Sequence, residues 1–383
     1  VSKPLDPAHP LWQFHLVDRC DGGSAVVVRI HHCYADGIAL VRVLLSMTDA
    51  SAHGPPAMPF EPPKREPRAA PDDPVAQLMQ PFAGVMGVAR KVAGTAVEQA
   101  RKLDGQPMSP SSRRALDLLR LGVSAPAPDD PLKRAELAKL ATMGQDSPTR
   151  FKGKPGTAKR VAWADPIPLD EVKTVGRALG ASINDVLLSC VAGALASYLR
   201  DKGDDTDGVT LRALVPVNLR PMEKAYKLGN QFGLVFLELP IGMENPVARL
   251  YAVRENMRSL RGSYQPVLAL GILAAMGAGP KLLQDTLLTI LARNASAVMT
   301  NVPGPQQPLW LAGARIDGLM FWVPQSGDIG VGVSIISYDG KVQFGLITDA
   351  NLCPDPQAII DRFEPEFEKL LLLTMMLPWG EAA

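Results

Sequence analysis

The phrase SAVVVRIHHCYADGIALVRVLL, residues 24–45, imposes two different backbone periods on consecutive segments. Residues 24–32 form a short run rich in β-branched side chains and predict a strand, whereas Ile38, Val41, Leu44 and Leu45 recur at helical spacing. The chain must therefore turn between them, and that turn carries His31, His32, Cys33, Asp36 and Gly37. Comparable patterns follow downstream. Residues 159–180 predict a strand leading into a helix, 183–200 a long helix, 209–219 and 233–240 strands, and 248–262 another long helix. IGVGVSIISYDGKVQFGLITDA predicts two strands joined by a turn at 338–341, and PQAIIDRFEPEFEKLLLL a terminal helix. No internal repeat is present. The fold class that follows is α/β in the mixed α+β sense, with hairpins rather than the steady alternation of a doubly wound sheet.

A chain of 383 residues can hold two domains with cores of their own. Breakers and a shift of composition cluster in GQDSPTRFKGKPGT, so the expected units are 1–150 and 151–383. Within the first, eight prolines between residues 53 and 74 suit an extended connection, and 75–102 and 113–123 are helix-like. Lys+Arg 40 against Asp+Glu 39 leaves a net charge of +1, which supplies no global field to collect nucleic acid or an anionic membrane. A lipid partner must then be held by apolar surface or by local patches. No uninterrupted apolar run approaches the roughly 20 residues that span a bilayer, so the expected membrane association is peripheral. Cys20, Cys33, Cys190 and Cys353 are too scattered for a disulfide framework or a paired-cysteine zinc site, which suits a reducing cytoplasm. The opening VSKPLDPAHP is turn-like and gives the expectation of a further segment upstream.

All five histidines lie within the first 53 residues, so histidine chemistry belongs to the first unit. Neighbours on a strand point to opposite faces. On that alternation His32 shares a face with Val26, Val28 and Ile30, and His31 one with Val27 and Arg29. The all-apolar face is expected to be the buried one, and burial favours an uncharged imidazole, the state a general base requires. Asp36 is positioned to cap the following helix, and Gly37 to relieve crowding where the chain turns. A purely structural account stands beside this one, with Asp36 a cap, His31 a satisfied structural histidine and Cys33 a small packing residue. A metal site on His31, His32, Cys33 and Asp36 lacks a second ligand pair at zinc-like spacing. No G-x-S-x-G elbow, G-x-G-x-x-G or phosphate-loop lysine motif occurs.

HHCYADG resembles the HHxxxDG motif of the coenzyme A-dependent acyltransferase superfamily. Pro10-Leu11-Trp12, the Asn184-Asp185 helix start, RALVPVNLRP, GNQFG and TNVPGP follow in an order similar to that of the bacterial wax ester synthase/acyl-CoA:diacylglycerol acyltransferase family. The resemblance spans essentially the whole chain. It implies two chloramphenicol-acetyltransferase-like lobes with a central channel, entered by acyl-CoA and acceptor from opposite sides, and no cofactor beyond acyl-CoA as co-substrate. It implies further that His32 deprotonates a fatty alcohol or diacylglycerol hydroxyl, which attacks the thioester directly, without an acyl-enzyme. His31 and Asp36 would hold that site.

An oxyanion needs donors aimed at it. The second unit lacks histidine, and Asn184 is the candidate donor there with Asp185 as a further candidate site residue, although SIND also reads as a structural capping box of Ser182 and Asp185. The stretch 267–283 either lines an acyl tunnel or touches a membrane or lipid droplet, or is a buried core helix. Two other readings remain open: a condensation-like enzyme acylating an amine or another hydroxyl, and a catalytically silent protein of the lipid-droplet surface.

Overall fold

A computed structural model of the protein describes residues 2–54, 143–219, 232–261, 292–325 and 327–377, with positions 263, 265, 266 and 269. The proline-rich connection beyond Gly54, the helix-like stretches 75–102 and 113–123, and 267–283 apart from Ala269 lie outside the described residues.

The first unit opens on an antiparallel hairpin of β1 (Trp12–Cys20) and β2 (Gly23–Ile30), in register from Trp12↔Ile30 to Asp18↔Ser24 and shifted by one residue at Cys20↔Gly23. Asp21 and Gly22 close it with φ of 47° and 81°, the paired left-handed conformation whose twist matches a two-residue hairpin loop. Helix α1 (Gly37–Leu45) follows directly.

The second unit is built on a seven-stranded sheet. Its elements in chain order are β3 (Lys159–Trp163), β4 (Ile167–Pro168), α2 (Leu169–Ala178), α3 (Ile183–Asp201), β5 (Leu211–Asn218), β6 (Phe232–Leu239) and α4 (Pro246–Arg261). They continue with β7 (Ala297–Pro303), the small hairpin β8 (Trp310–Leu311) and β9 (Ala314–Arg315), then β10 (Val331–Tyr338), β11 (Lys341–Asp349), α5 (Pro356–Ile360) and α6 (Phe363–Met375). The strand order is β3-β11-β10-β7-β5-β6, with β4 beside β11. Alternate residues Ala297 and Met299 of β7, Val331, Val333 and Ile335 of β10, and Phe344 and Leu346 of β11 enter one core with the helices. The hairpin expected at 338–341 is present, with Asp339 and Gly340 in the left-handed region.

Two features depart from the sequence reading. The terminal helix is two helices, because Pro365 fits only the first turn of a helix, where its missing N–H has no partner to lose. The chain therefore stops at Ile360 and starts again at Phe363. The second departure is β7, a strand that was not expected, running parallel to both β10 and β5.

Helix α3 is apolar nearly all round and is correspondingly buried from Asp185 to Leu199 apart from half-buried Ser197. Where it crosses α4 and α6 it covers an ion pair: Arg249 and Glu366 meet through Nη2 and Oε2 and are both buried. Arg249 Nε also donates to Ser189 O at 3.1 Å and Nη1 to Met243 O at 3.0 Å, while Lys369 Nζ reaches Glu366 Oε1 at 2.5 Å. These bonds compensate for desolvating the two charges, the condition under which such a pair persists in a core. Gly193 provides the room, since a Cβ there would collide with Glu366 Oε2 and Arg249 Nη2.

The two units touch through backbone and side-chain bonds, among them Ser296 Oγ donating to Asp146 Oδ2 at 2.6 Å and Arg150 paired with Asp204. Asp49 and Trp310 exchange N–H···O bonds of 2.7 and 2.9 Å, and Lys159 N donates to Ser2 Oγ at 2.8 Å. Gly193→Ala is expected to lower stability by about 3 kcal/mol through overpacking against the charged pair, measured as a fall in the thermal or urea midpoint; an unchanged midpoint would mean the pair moves aside freely.

Candidate active site

Strand β2 ends at Ile30, opposite Trp12, and the last hairpin bond is His31 N to Leu11 O at 2.9 Å. His31 and His32 therefore sit in the turn that follows rather than on the strand, and the alternation of faces stops short of them. The all-apolar face is also not the buried one. Val26 and Val27 are both exposed, and Val28, Arg29 and Ile30 are all half-buried. Two strands alone, as β1 and β2 are among the described residues, bury little on either side. What distinguishes the two histidines is the turn itself: His31 is exposed and His32 half-buried.

His31 folds back on its own backbone. Its Nδ1 accepts from Cys33 N at 3.2 Å and its carbonyl from Tyr34 N at 3.2 Å, which closes the turn. Cys33 is exposed and is not a packing residue. Asp36 is the cap that the sequence predicts: it is buried, and Oδ1 accepts from Ala39 N at 3.0 Å. Gly37 differs from expectation, because it is the first residue of α1 and a Cβ there would meet nothing within 4 Å. Crowding does not require glycine at that position. Trp12 is about half exposed and packs edge-on against Phe14, with centroids 5.8 Å apart.

His32 points toward the second unit. Its ring meets the Phe232 ring at 6.0 Å between centroids and 63° between planes, an edge contact of favourable geometry. Phe232 is the first residue of β6 and pairs with Asn218, the last of β5. Gly233 follows it where the backbone of Pro266 passes so close that a Cβ would collide with the Pro266 carbonyl.

Asn184 and Asp185 stand at the start of α3. The Ser182–Asp185 capping box is formed in full: Asp185 N donates to Ser182 Oγ at 3.2 Å, and Ser182 N to Asp185 Oδ2 at 2.8 Å. Asp185 Oδ1 is buried without a hydrogen-bond partner. Asn184 Oδ1 accepts from Asn301 Nδ2 of β7 at 2.7 Å.

The sheet brings these pieces to one end. β5 and β7 run parallel and pair at Ala213↔Ala297 and Leu214↔Val298, and beyond those positions no further pair joins them among the described residues. Asn218 lies past the last pair on β5, and Asn301 past it on β7. Parallel strands end on the same side, so His32, resting on Phe232, and Asn184, bonded to Asn301, belong to the same edge of the sheet. The start of α3 adds the positive end of its dipole. This constellation offers an imidazole from one unit and amide donors from the other, the requirements for proton removal and for stabilising a developing oxyanion. Sequence reasoning missed Phe232 and Asn301. Both sit in phrases singled out by their order, GNQFG and TNVPGP, but neither titrates, so chemistry alone did not mark them.

Two concavities lie elsewhere. One of about 490 Å³ is lined by Ser2, Lys3, His15, Val27 and Arg29. The other, of about 150 Å³, is lined by Gln145, Lys152, Gly153, Arg293 and Asp328, and burial pulls the Lys152 amine down to about 8. Among the described residues no group of three or more His, Cys, Asp or Glu side chains is placed to hold a metal ion.

The model of the wax ester synthase/diacylglycerol acyltransferase catalytic domain matches residues 1–187, and that of the C-terminal domain of the same family matches residues 228–371. A Mycobacterium tuberculosis protein named as a diacylglycerol O-acyltransferase is 28% identical over 96% of this chain and 69% of its own length. A second from the same organism, with a name of the same kind, is 24% identical over 98% of this chain and 74% of its own. Among solved structures, the wax ester synthase/diacylglycerol acyltransferase from Marinobacter aquaeolei VT8 superposes with a TM-score of 0.60 at 20% identity, covering 98% of this chain and 74% of that one. A nonribosomal peptide synthetase superposes at 0.50 with 14% identity, covering 98% of this chain and 34% of its own. At these identities the structural likenesses establish the fold. If Asp36 holds the turn as its geometry indicates, Asp36→Ala loses about 1 kcal/mol of stability and Asp36→Asn less, since asparagine also caps; urea unfolding of the two variants orders them.

Proposed function

The chain belongs to the wax ester synthase/diacylglycerol acyltransferase family and is an acyltransferase of the kind that forms wax ester or triacylglycerol, and on that premise we propose that His32 is the general base of the transfer. The imidazole takes the proton of a fatty alcohol or diacylglycerol hydroxyl, and the oxygen attacks the thioester carbonyl of a long-chain acyl-CoA. The tetrahedral oxyanion collapses, the C–S bond breaks, and the imidazolium returns its proton to the departing thiolate. No covalent intermediate on the protein and no cofactor takes part, and acyl-CoA serves as co-substrate. The observation that carries this reading is the contact of the His32 ring with Phe232, at the sheet edge where Asn184 begins α3.

In this reading Asn184 Nδ2 donates to the oxyanion. Asp185 keeps the helix start in place through the capping box, and His31 and Asp36 hold the turn that carries His32. Gly37, exposed at the first position of α1, has no part in the reaction in this reading. Both substrates carry long apolar chains, and the protein works at a lipid surface in the cytoplasm. The exposed Leu372, Leu373, Met375, Met376 and Leu377 at the end of α6 support that placement, because they offer apolar contact without any global positive charge.

Incubation with palmitoyl-CoA and, separately, hexadecanol, diacylglycerol and an amine tests the proposal by thiol release and product identification. Ester formed with hexadecanol or diacylglycerol is the expected result, and turnover with the amine alone would assign condensation-type chemistry instead. His32→Ala is expected to reduce kcat by about 10²–10⁴-fold with its thermal midpoint retained. An unchanged rate would remove the assignment.

A further inference from the structure

We infer that Asn301 is a positioning residue for the acyl transfer, one that acts by orienting the Asn184 amide. The inference rests on the reading of Asn184 as oxyanion donor. An asparagine amide has two faces of opposite character, an acceptor oxygen and a donor nitrogen, and rotation by half a turn exchanges them. An oxyanion is served only by the nitrogen, so a donor residue in this role must have its oxygen engaged elsewhere. Asn301 Nδ2 does this, donating to Asn184 Oδ1 at 2.7 Å. Among the described residues Asn184 Nδ2 meets no acceptor, which leaves its hydrogens for a substrate oxygen.

Three observations make Asn301 suited to hold another side chain still. It lies on β7, where its backbone pairs with Ile335 of β10, so it is carried by a strand rather than a loop. It falls on the same alternation as Ala297 and Met299, the face packed against the helix layer that contains α3. Among the described residues it also lies past the last β5 pairing, at the end of the sheet where β5 and β6 carry Asn218 and Phe232. The capping box fixes the α3 backbone at Asn184, and Asn301 fixes the side chain that the backbone leaves free to rotate. The phrase TNVPGP thereby gains a role: Pro303 and Pro305 end the strand just after its functional asparagine.

The test is a double-mutant cycle on the full chain with palmitoyl-CoA and hexadecanol, reading kcat, KM for acyl-CoA and thermal midpoint. Asn184→Ala is expected to reduce kcat by about 10²–10³-fold. Asn301→Leu, which fills similar volume without a donor, is expected to reduce kcat by about tenfold or more with KM for acyl-CoA unchanged, and to add nothing in the Asn184→Ala background. Asn301→Ser keeps a donor and is expected to recover part of the loss, and Asn301→Ala, which also removes the donor, replaces Leu in the cycle if the leucine variant does not fold. Asn301→Leu with wild-type kcat, or with a loss that multiplies fully onto that of Asn184→Ala, would overturn the positioning role. Asn184→Ala with wild-type kcat would instead remove the reading on which it rests, and the two failures are separable because each single variant is measured alone.

Discussion

The burial of α3 is the constraint from which the rest of the second unit follows. A helix apolar on all sides has no solvent-facing stripe, so it must be covered everywhere, and α2, α4, α5, α6 and the sheet supply that cover. A helix packed this way cannot slide or rotate without opening voids, and interiors tolerate few of those. Its first turn is therefore fixed in space, and with it Asn184. The Arg249–Glu366 pair adds a polar condition to the same packing, because the crossing of α4 and α6 over α3 needs Gly193 to leave room for the two charged groups.

The candidate site uses this rigidity from one side only. The second unit contributes the amide side chains, on a buried helix and a ladder-paired strand, whereas the first unit contributes the imidazole from a turn braced by His31 and by the Asp36 cap. Contacts between the two include the rings of His32 and Phe232, the backbone exchange at Asp49 and Trp310, and the polar bonds of Asp146 and Arg150. The proposed base and the proposed oxyanion donor thus come from segments far apart in the chain, one on a turn and one on a buried helix.

Much of the local structure was legible in the residues themselves. The Asp36 cap, the Ser182–Asp185 box, the 338–341 hairpin and the strand-to-helix turn carrying the histidines depend on neighbours a few residues apart, and short-range patterns report such bonds directly. Errors arose where that reach ended. Strand alternation was carried one turn too far, onto His31 and His32, and the terminal helix was read through Pro365 because its apolar period continues across the break.

The sequence by itself determined the mixed α and β class, the turn with its paired histidines, the helix caps and the ordered phrases that indicate the family. Only the tertiary structure decided that Phe232 meets His32, that Asn301 holds Asn184, and that β5 and β7 part so that both meetings fall on one edge. The reason is physical. A cap or a hairpin turn is closed by residues adjacent in the chain, whereas Asn184 and Asn301 are brought together only when a buried helix packs on a sheet in a particular register, and no local period encodes that register.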